Sequence, residues 1–279
     1  IESTSSITAT FTGDESLVTR PMARVLEPLE KFGAKSISRS NGLLPLTIEG
    51  SSNPISINYS SLIPSAQIKS AVLLAALNSP GTSVFNEPQI SRDHTENMLS
   101  AFGANITVSS TEKGNSISIV GYPEFTPQNI VVPGDPSSAA FPICAALIVK
   151  GSRITLKNIC YNPTRNGLII TLCEMGADIK INNSRHLNGE VVVDIVVSAS
   201  KLEGVEVPVD RVVSMIDEFP ILAVVASVAE GTTVMRGLKE LRVKESDRIS
   251  AMFRCLKSNG IDVREGEDSL TICGAGANN

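Results

Sequence analysis

The chain has 279 residues, of which 42% are hydrophobic and 19% charged, a composition typical of a folded globular protein. The length allows one large domain or two domains of ordinary size. There are 24 Lys and Arg residues against 29 Asp and Glu, which gives a net charge of −5. This sign excludes nucleic-acid binding through overall charge, so any anionic ligand must be bound by a local group of cations.

The five cysteines and two histidines form no metal-binding pattern, because the sequence contains neither a CxxC pair nor an HExxH motif. We therefore expect reduced thiols in a cytoplasmic protein, no zinc site, and no chemical role for His94 or His186. The longest apolar stretches, residues 139–149 and 219–229, are too short for a membrane-spanning helix. Because the first residue is Ile1 and not Met, we expect this chain to be a fragment of a longer one.

Two sequence patterns recur along the chain. In the first, an Ala-rich apolar run ends at a glycine and is followed by β-branched residues, at 71–84, 143–154 and 221–234. In the second, an amphipathic run closes at Gly33, Gly103, Gly176 and Gly260, which are 70, 73 and 84 residues apart. Glycine ends helices readily because it adopts the left-handed conformation without a Cβ penalty. Each repeat is thus predicted to be helix, strand, charged loop, helix, strand and strand.

The closing glycines define four repeats, and the first of them lacks its opening helix. The opening helices are apolar nearly all round, so we expect them to be buried on every side by sheets from strands such as 117–120 and 191–196. A cluster of Pro, Gly and Ser at 132–138 separates the second repeat from the third. The predicted domains are therefore residues 1–132 and 133–279.

The charged loop of each repeat carries an arginine 11 to 13 residues before the closing glycine, namely Arg20, Arg92, Arg165 and Arg248. Guanidinium groups near helix N-termini, on two domains that face one another, would form an anion site, because arginine binds phosphate and carboxylate with paired hydrogen bonds. For each arginine taken singly, a solvated helix start explains the pattern equally well.

The fourth loop is the most highly charged segment, with five charged residues among the seven at 242–248. Helical spacing would bring Lys244 and Arg248 to one face, with Glu245 beside them. A solvated surface is the alternative interpretation of such a run.

Other polar residues open the predicted helices. Asp217 and Glu218 precede an apolar run, where one carboxylate is expected to cap the helix or to interact with its dipole. The other could act as a general base on a substrate hydroxyl. Ser65 and Asp135 are interpreted as helix caps, whereas the pattern leaves the role of Gln67 undecided.

Several of these segments together resemble the 5-enolpyruvylshikimate-3-phosphate synthase family, in its bacterial type with a Ser-Ala-Gln motif. They occur in family order, and Arg-Val-Lys-Glu-Ser-Asp-Arg is the most specific; the segments are 12–22, 64–71, 92–96, 214–220 and 241–248. The resemblance implies a two-domain inside-out α/β barrel built from βαβαββ repeats, about four of six of which are present. It also implies an active site in the cleft between the domains.

The family transfers the enolpyruvyl (1-carboxyvinyl) group of phosphoenolpyruvate to the 5-hydroxyl of shikimate 3-phosphate and releases phosphate, by addition and then elimination. The resemblance therefore implies a cytoplasmic transferase of the shikimate pathway, which leads to chorismate and the aromatic amino acids and is the target of glyphosate. It implies no cofactor and no metal, two small-molecule substrates, no nucleic-acid or membrane partner, and a monomer.

The resemblance also supplies candidate roles. Asp217 is expected to accept the proton of the shikimate hydroxyl, and Glu245 to transfer a proton at the enolpyruvyl methylene. The expected phosphoenolpyruvate ligands are Arg20, Gln67 and Arg248. The expected contacts to shikimate 3-phosphate are Ser65, Gln67, Asp217 and Lys244, with Arg92 as a helper and Ala66 lining the site through its backbone.

Some family motifs do not occur in this sequence, among them an N-terminal Lys-Ser pair followed by Arg, and a C-terminal Asp-His-Arg with a late Lys. Because electrostatic groups commonly supply the largest part of catalysis, we expect little or no activity from this chain alone. Two alternatives remain open. One is the sister transferase acting on UDP-N-acetylglucosamine, although its reactive cysteine loop is absent; the other is a noncatalytic anion-binding remnant.

Overall fold

The computed structural model describes residues 6–112 and 114–276, which form two compact units. The N-terminal unit is Ile1–Asn129 and the C-terminal unit is Ile130–Asn279, so the division falls just before the predicted one at 132/133. Each unit is an α/β structure. None of the helices in the described part of the chain is both long enough and apolar enough to span a bilayer.

The N-terminal unit contains the first two repeats. Its helices are α1 (Ala23–Lys31), α2 (Ala66–Ala76) and α3 (His94–Ala101). Its strands are β1 (Thr8–Phe11), β2 (Lys35–Arg39), β3 (Leu43–Glu49), β4 (Asn58–Ser60), β5 (Thr82–Glu87), β6 (Ile106–Ser110) and β7 (Asn115–Val120). They form an antiparallel sheet β1-β3-β2 and a mixed sheet β4-β5-β7-β6, in which β4 and β5 are parallel. As predicted, the first repeat has no opening α-helix among its described residues.

The C-terminal unit contains the third and fourth repeats. Its helices are α4 (Pro136–Ile148), α5 (Gly167–Glu174), α6 (Phe219–Val228) and α7 (Arg248–Ser258). Its strands are β8 (Arg153–Cys160), β9 (Asp178–Leu187), β10 (Glu190–Ser198), β11 (Glu206–Val207), β12 (Glu230–Met235), β13 (Asp262–Glu265) and β14 (Leu270–Ala275). The sheet orders are β8-β10-β9 and β11-β12-β14-β13, and the parallel pair β11–β12 corresponds to β4–β5 of the second repeat.

Four of the glycines that recur in the sequence directly follow the C-cap of a helix, as predicted: Gly33, Gly103, Gly176 and Gly260. Gly81 and Gly151 lie farther beyond a helix end, and the prediction was wrong for Gly231, which lies inside β12. All seven lie at positive φ, between 75° and 103°: Gly33, Gly81, Gly103, Gly151, Gly176, Gly231 and Gly260. A side chain is disfavoured in this left-handed region. The repeat seen in the sequence is therefore a repeat of left-handed glycines, which lie between a helix and the next strand or, for Gly231, at the start of that strand.

The opening helices form the core of each unit, but they are not buried on every side. In α6, Phe219 and Leu222 are fully buried, yet Val224 is 40% exposed, and in α4 Phe141 is 60% exposed. The expectation of complete burial was thus wrong for these two helices. The reason is that α4 packs on α6, β8 and β10, and these elements cover only part of its surface.

The cysteines are free thiols with different environments. Burial raises the pKa of Cys144 to about 12 and that of Cys160 to about 11, whereas Cys255 is exposed on α7. Because the thiolate is the reactive form, we expect a disulfide reagent at pH 8 to label Cys255 rapidly and to leave Cys144 and Cys160 unmodified. Mass spectrometry of native and guanidine-unfolded protein would test this. Labelling of Cys144 in the native chain as fast as Cys255 would contradict it.

Candidate active site

Two loops of the C-terminal unit bring four of the predicted site residues together. Asp217 lies between a 3-10 helix, Val209–Met215, and the start of α6. Lys244 and Glu245 follow a second 3-10 helix, Lys239–Val243, and Arg248 is the first residue of α7. Residues from two adjacent helix starts thus form one cluster of opposite charges.

Arg248 is the centre of this cluster. Its Nε and Nη2 each donate to a carboxylate oxygen of Glu245 at 2.9 Å, and its Nη1 donates to Asp217 Oδ1 at 3.2 Å. Lys244 Nζ lies 4.0 Å from the same Asp217 oxygen. The Glu245 carboxylate, followed by that of Asp217, raises the pKa of Arg248 against the opposing effect of desolvation. The guanidinium therefore stays charged beside two carboxylates.

These ion pairs are accessible to a ligand. The side chains are partly exposed, from 21% for Arg248 to 41% for Glu245. Ion pairs in contact with water are weak, since solvent and salt screen them. A phosphate or carboxylate of a ligand can therefore exchange with the protein carboxylates as a partner of Arg248 or Lys244.

Lys244 and Arg248 do not come together in the way that their spacing suggested. Lys244 has an extended backbone, with φ −74° and ψ −152°, and lies outside α7. The helix begins only at Arg248, because Asp247 caps it by accepting a hydrogen bond from the Ser250 backbone N–H at 3.0 Å. This hydrogen bond is the main reason why the pKa of Asp247 lies below its usual range.

Arg242, a further cation of the charged loop, is an anchor for that loop. Its Nη1 donates to Asp247 Oδ2 at 2.7 Å and to Glu265 Oε1 at 3.0 Å, and its Nη2 donates to the Gly266 backbone oxygen at 2.5 Å. The preceding Leu241 is fully buried. The loop that presents Lys244 is therefore fixed by Arg242, which is itself committed to protein partners.

Asp217 and Glu218 have distinct environments. Glu218 does not form the expected side-chain cap of α6, and the alternative, an interaction of one carboxylate with the helix dipole, stays a prediction. Glu218 is the residue before the helix, but its backbone is helical, with φ −96° and ψ −7°, and its side chain makes no capping bond. Instead the buried Glu218 carboxylate accepts a hydrogen bond from the Ser137 hydroxyl on α4. Arg165 donates to the same hydroxyl at 2.6 Å and to Asp135 at 3.0 Å. Arg165, only 10% exposed, is thus held by its own unit.

The N-terminal unit places a second set of predicted residues at the start of α2. Ser65 is the N-cap of α2, since its hydroxyl accepts a hydrogen bond from the Ile68 backbone N–H at 3.4 Å. Ala66 is the first residue of the helix, and Gln67 follows it with an exposed side chain. The Gln67 Oε1 atom accepts a hydrogen bond from Arg24 Nη2 at 3.0 Å. This contact turns the amide so that its NH2 group remains available as a donor.

Arg24 is a residue that sequence reasoning missed. It lies in the first turn of α1, four residues after Arg20, and this spacing from a predicted arginine is the only signal in the sequence that points to it. Among the described residues, neither Arg20 nor Arg24 forms an ion pair with a carboxylate. Arg92 lies half-buried in the loop between β5 and α3. The arginines and the free N–H groups of α2 suit the N-terminal unit to binding an anion.

Known proteins match this chain over nearly its whole length. The family model described as EPSP synthase (3-phosphoshikimate 1-carboxyvinyltransferase) matches residues 2–278. The chain is similar to the 3-phosphoshikimate 1-carboxyvinyltransferases of Cereibacter sphaeroides, with 55% identity over 98% of this chain and 61% of that protein, and of Paracoccus denitrificans, with 56% identity over 98% and 62%. It spans about three-fifths of the length of these relatives.

Solved structures of enolpyruvyl transferases are also similar to this chain. EPSP synthase from Acinetobacter baumannii matches with a TM-score of 0.86 and 42% identity, over 99% of this chain and 61% of that one. The enolpyruvyl transferase NikO from Streptomyces tendae shares the fold, with a TM-score of 0.68, 17% identity, and 96% and 60% coverage. The fold, the Ser-Ala-Gln helix start and the charged loop before α7 thus occur together in a chain that belongs to the EPSP synthase (3-phosphoshikimate 1-carboxyvinyltransferase) family.

Proposed function

We propose that the protein to which this chain contributes transfers the enolpyruvyl group of phosphoenolpyruvate to the 5-hydroxyl of shikimate 3-phosphate. The observation that carries the proposal is the cluster of Asp217, Lys244, Glu245 and Arg248, which joins carboxylates for proton transfer to cations for anion binding. Each substrate carries a phosphate and a carboxylate, and an acidic chain can hold such ligands only with local cations. We further propose a cytoplasmic monomer that uses no cofactor.

In the first step of the proposed reaction, Asp217 accepts the proton of the 5-hydroxyl, and the hydroxyl oxygen forms a bond to C2 of phosphoenolpyruvate. The methylene carbon of phosphoenolpyruvate gains a proton in the same step. In the second step that carbon loses a proton, the C2–O bond to phosphate breaks, and phosphate leaves with its electron pair. Glu245 is proposed as the group that exchanges the proton with the methylene carbon. Its position is supported by the hydrogen bonds with which Arg248 fixes its carboxylate.

The cations are proposed to hold the substrates and to stabilise the negative charge that moves through these steps. Arg248 is assigned to phosphoenolpyruvate and Lys244 to shikimate 3-phosphate. The partial exposure of both side chains supports this, because Asp217, the carboxylate that both of them contact, can give way to a substrate anion as their partner.

The helix start of the N-terminal unit is proposed to bind the same substrates. Ser65 can still donate its hydroxyl proton while its oxygen accepts from Ile68, and Gln67 can donate through its NH2 group, so both suit an anionic acceptor. Arg20 and Arg92 are proposed as further cationic ligands. Ala66 is proposed to line the site through its backbone N–H at the start of α2.

Titration calorimetry of the 279-residue chain tests the proposal. We expect shikimate 3-phosphate to bind and to strengthen the subsequent binding of phosphoenolpyruvate. Arg248→Gln is expected to weaken phosphoenolpyruvate binding about tenfold or more, because it removes charge-assisted hydrogen bonds. Arg254→Gln, which changes an exposed arginine on the same helix α7, is the matched control and should leave both affinities unchanged.

The outcomes separate the alternatives. If neither ligand binds, the proposal is refuted for this chain, and the result favours the alternative of a noncatalytic remnant. Preferential binding of UDP-N-acetylglucosamine over shikimate 3-phosphate would instead favour the sister transferase. If Arg248→Gln and Arg254→Gln weaken phosphoenolpyruvate binding equally, Arg248 is not part of the binding site.

A further inference from the structure

A buried lysine of the N-terminal unit lies outside the residues assigned above. The side chain of Lys69, on α2, is 1% exposed. Its Nζ lies 2.7 Å from Glu96 Oε1 on α3 and 3.2 Å from Glu87 Oε2 at the end of β5, and both carboxylates are buried. Charges at this depth require partners, so the three groups stabilise one another's burial.

Ser91, in the loop between β5 and α3, completes this group, which we call the Lys69 cluster (Lys69, Glu87, Ser91 and Glu96). Lys69 Nζ donates to the Ser91 backbone oxygen at 3.4 Å. The backbone N–H and the hydroxyl of Ser91 both donate to Glu87 Oε2, at 3.2 Å and 2.6 Å. Ser91 is therefore held by three hydrogen bonds to buried charged groups, and it is itself only 3% exposed.

The position of the cluster links two parts of the proposed site. Ser91 directly precedes Arg92. Lys69 is the fourth residue of α2, one turn after the helix start that carries Ser65 and Gln67. A second contact between the same helices, from Ser70 Oγ to Thr95 Oγ1 at 2.6 Å, fixes α3 against α2. The loop carrying Arg92 is thus tied to the helix start by buried polar groups.

The chemistry of the cluster points to positioning more than to stability. A buried ion pair contributes little net stability compared with apolar residues of the same volume. Its hydrogen bonds are directional, however, and here they fix the backbone of one loop residue at both its N–H and its carbonyl. When a protein side chain that binds a ligand is already held in place, the entropic cost of ordering that side chain on binding is removed.

We infer that the Lys69 cluster positions Arg92 relative to the start of α2, so that Lys69, Glu87 and Ser91 are positioning residues for the substrate anion. This inference rests on the proposed function for the part that concerns shikimate 3-phosphate. The ordering of the loop does not depend on any ligand.

Ser91→Ala is the least disruptive test, because it removes one hydroxyl and leaves the ion pairs in place. We expect amide exchange of the segment 88–93 to become about tenfold faster or more, and shikimate 3-phosphate to bind several-fold more weakly. In an Arg92→Ala background, Ser91→Ala should cause no further loss of affinity, because it acts through Arg92. Ser79→Ala removes an equally buried hydroxyl of the same unit, bonded to the Ala75 oxygen at 3.3 Å, and should change neither measurement.

Two results would overturn the inference. One is unchanged exchange of segment 88–93 in both Ser91→Ala and Lys69→Met. The other is a loss of affinity from Ser91→Ala that is the same with and without Arg92, since a purely structural effect would behave in this way. If the unaltered chain does not bind shikimate 3-phosphate, the proposed function fails, and the exchange measurement alone decides whether the cluster orders the loop.

Discussion

Lys69→Met is expected to lower the free energy of unfolding by about 3–5 kcal/mol at pH 7, because it leaves Glu87 and Glu96 buried without their cation. Urea unfolding followed by circular dichroism would measure the loss. Lys150→Met, which removes an exposed lysine, is the matched control and should change stability by less than about 0.5 kcal/mol. A loss below about 1 kcal/mol for Lys69→Met would contradict the ionic role of the cluster.

The effect of Lys69→Met should depend on pH in a defined direction. Desolvation raises the pKa of Glu96 above 4.5, and Lys69 opposes this shift, so removing the lysine raises that pKa further. A carboxyl whose pKa is higher in the folded state contributes its stability at low pH and loses it as the pH rises through the folded-state pKa. The loss of unfolding free energy caused by Lys69→Met should therefore become smaller as the pH is lowered from 7 to 4.5. A loss of unfolding free energy that is the same at pH 7 and pH 4.5 would contradict this explanation.

Gly274→Ala is expected to destabilise the chain by about 3 kcal/mol, the upper end of what overpacking usually costs. A Cβ atom on Gly274, in β14, would overlap the backbone oxygens of Ala226 and Ala229 at the end of α6. Neither oxygen can move without displacing the helix. Gly121 stands in the equivalent place of the second repeat, where a Cβ atom would overlap the Ser79 backbone oxygen, so Gly121→Ala should behave alike.

A control separates this close approach from the conformational preference of glycine. Gly151 has φ +79°, and a Cβ atom at this position would have no neighbouring atom within 4 Å. Gly151→Ala should therefore cost only about 1–2 kcal/mol, for the left-handed backbone alone. The same urea titrations measure all three variants. Equal losses for Gly151→Ala and Gly274→Ala would show that contact with α6 is not the cause.

Local sequence rules predicted much of this structure because they act over a few residues. Glycines at helix ends, the Ser65 and Asp135 caps and the alternation of helices and strands follow from backbone preferences that need no knowledge of the rest of the chain. The resemblance to a family then identified Asp217, Lys244 and Arg248 as candidates for one site. The structure brings these three side chains together.

Which partners the charged residues take within the chain, only the tertiary structure decided. In the sequence, Arg165, Arg242 and Arg248 look alike, but the structure pairs Arg165 with Asp135, Arg242 with Asp247 and Glu265, and Arg248 with Glu245 and Asp217. Lys69 lies in an apolar run, and its carboxylate partners are 18 and 27 positions away, too far for any local pattern to connect them. Such pairings depend on distances across packed elements, and those distances exist only after the chain has folded.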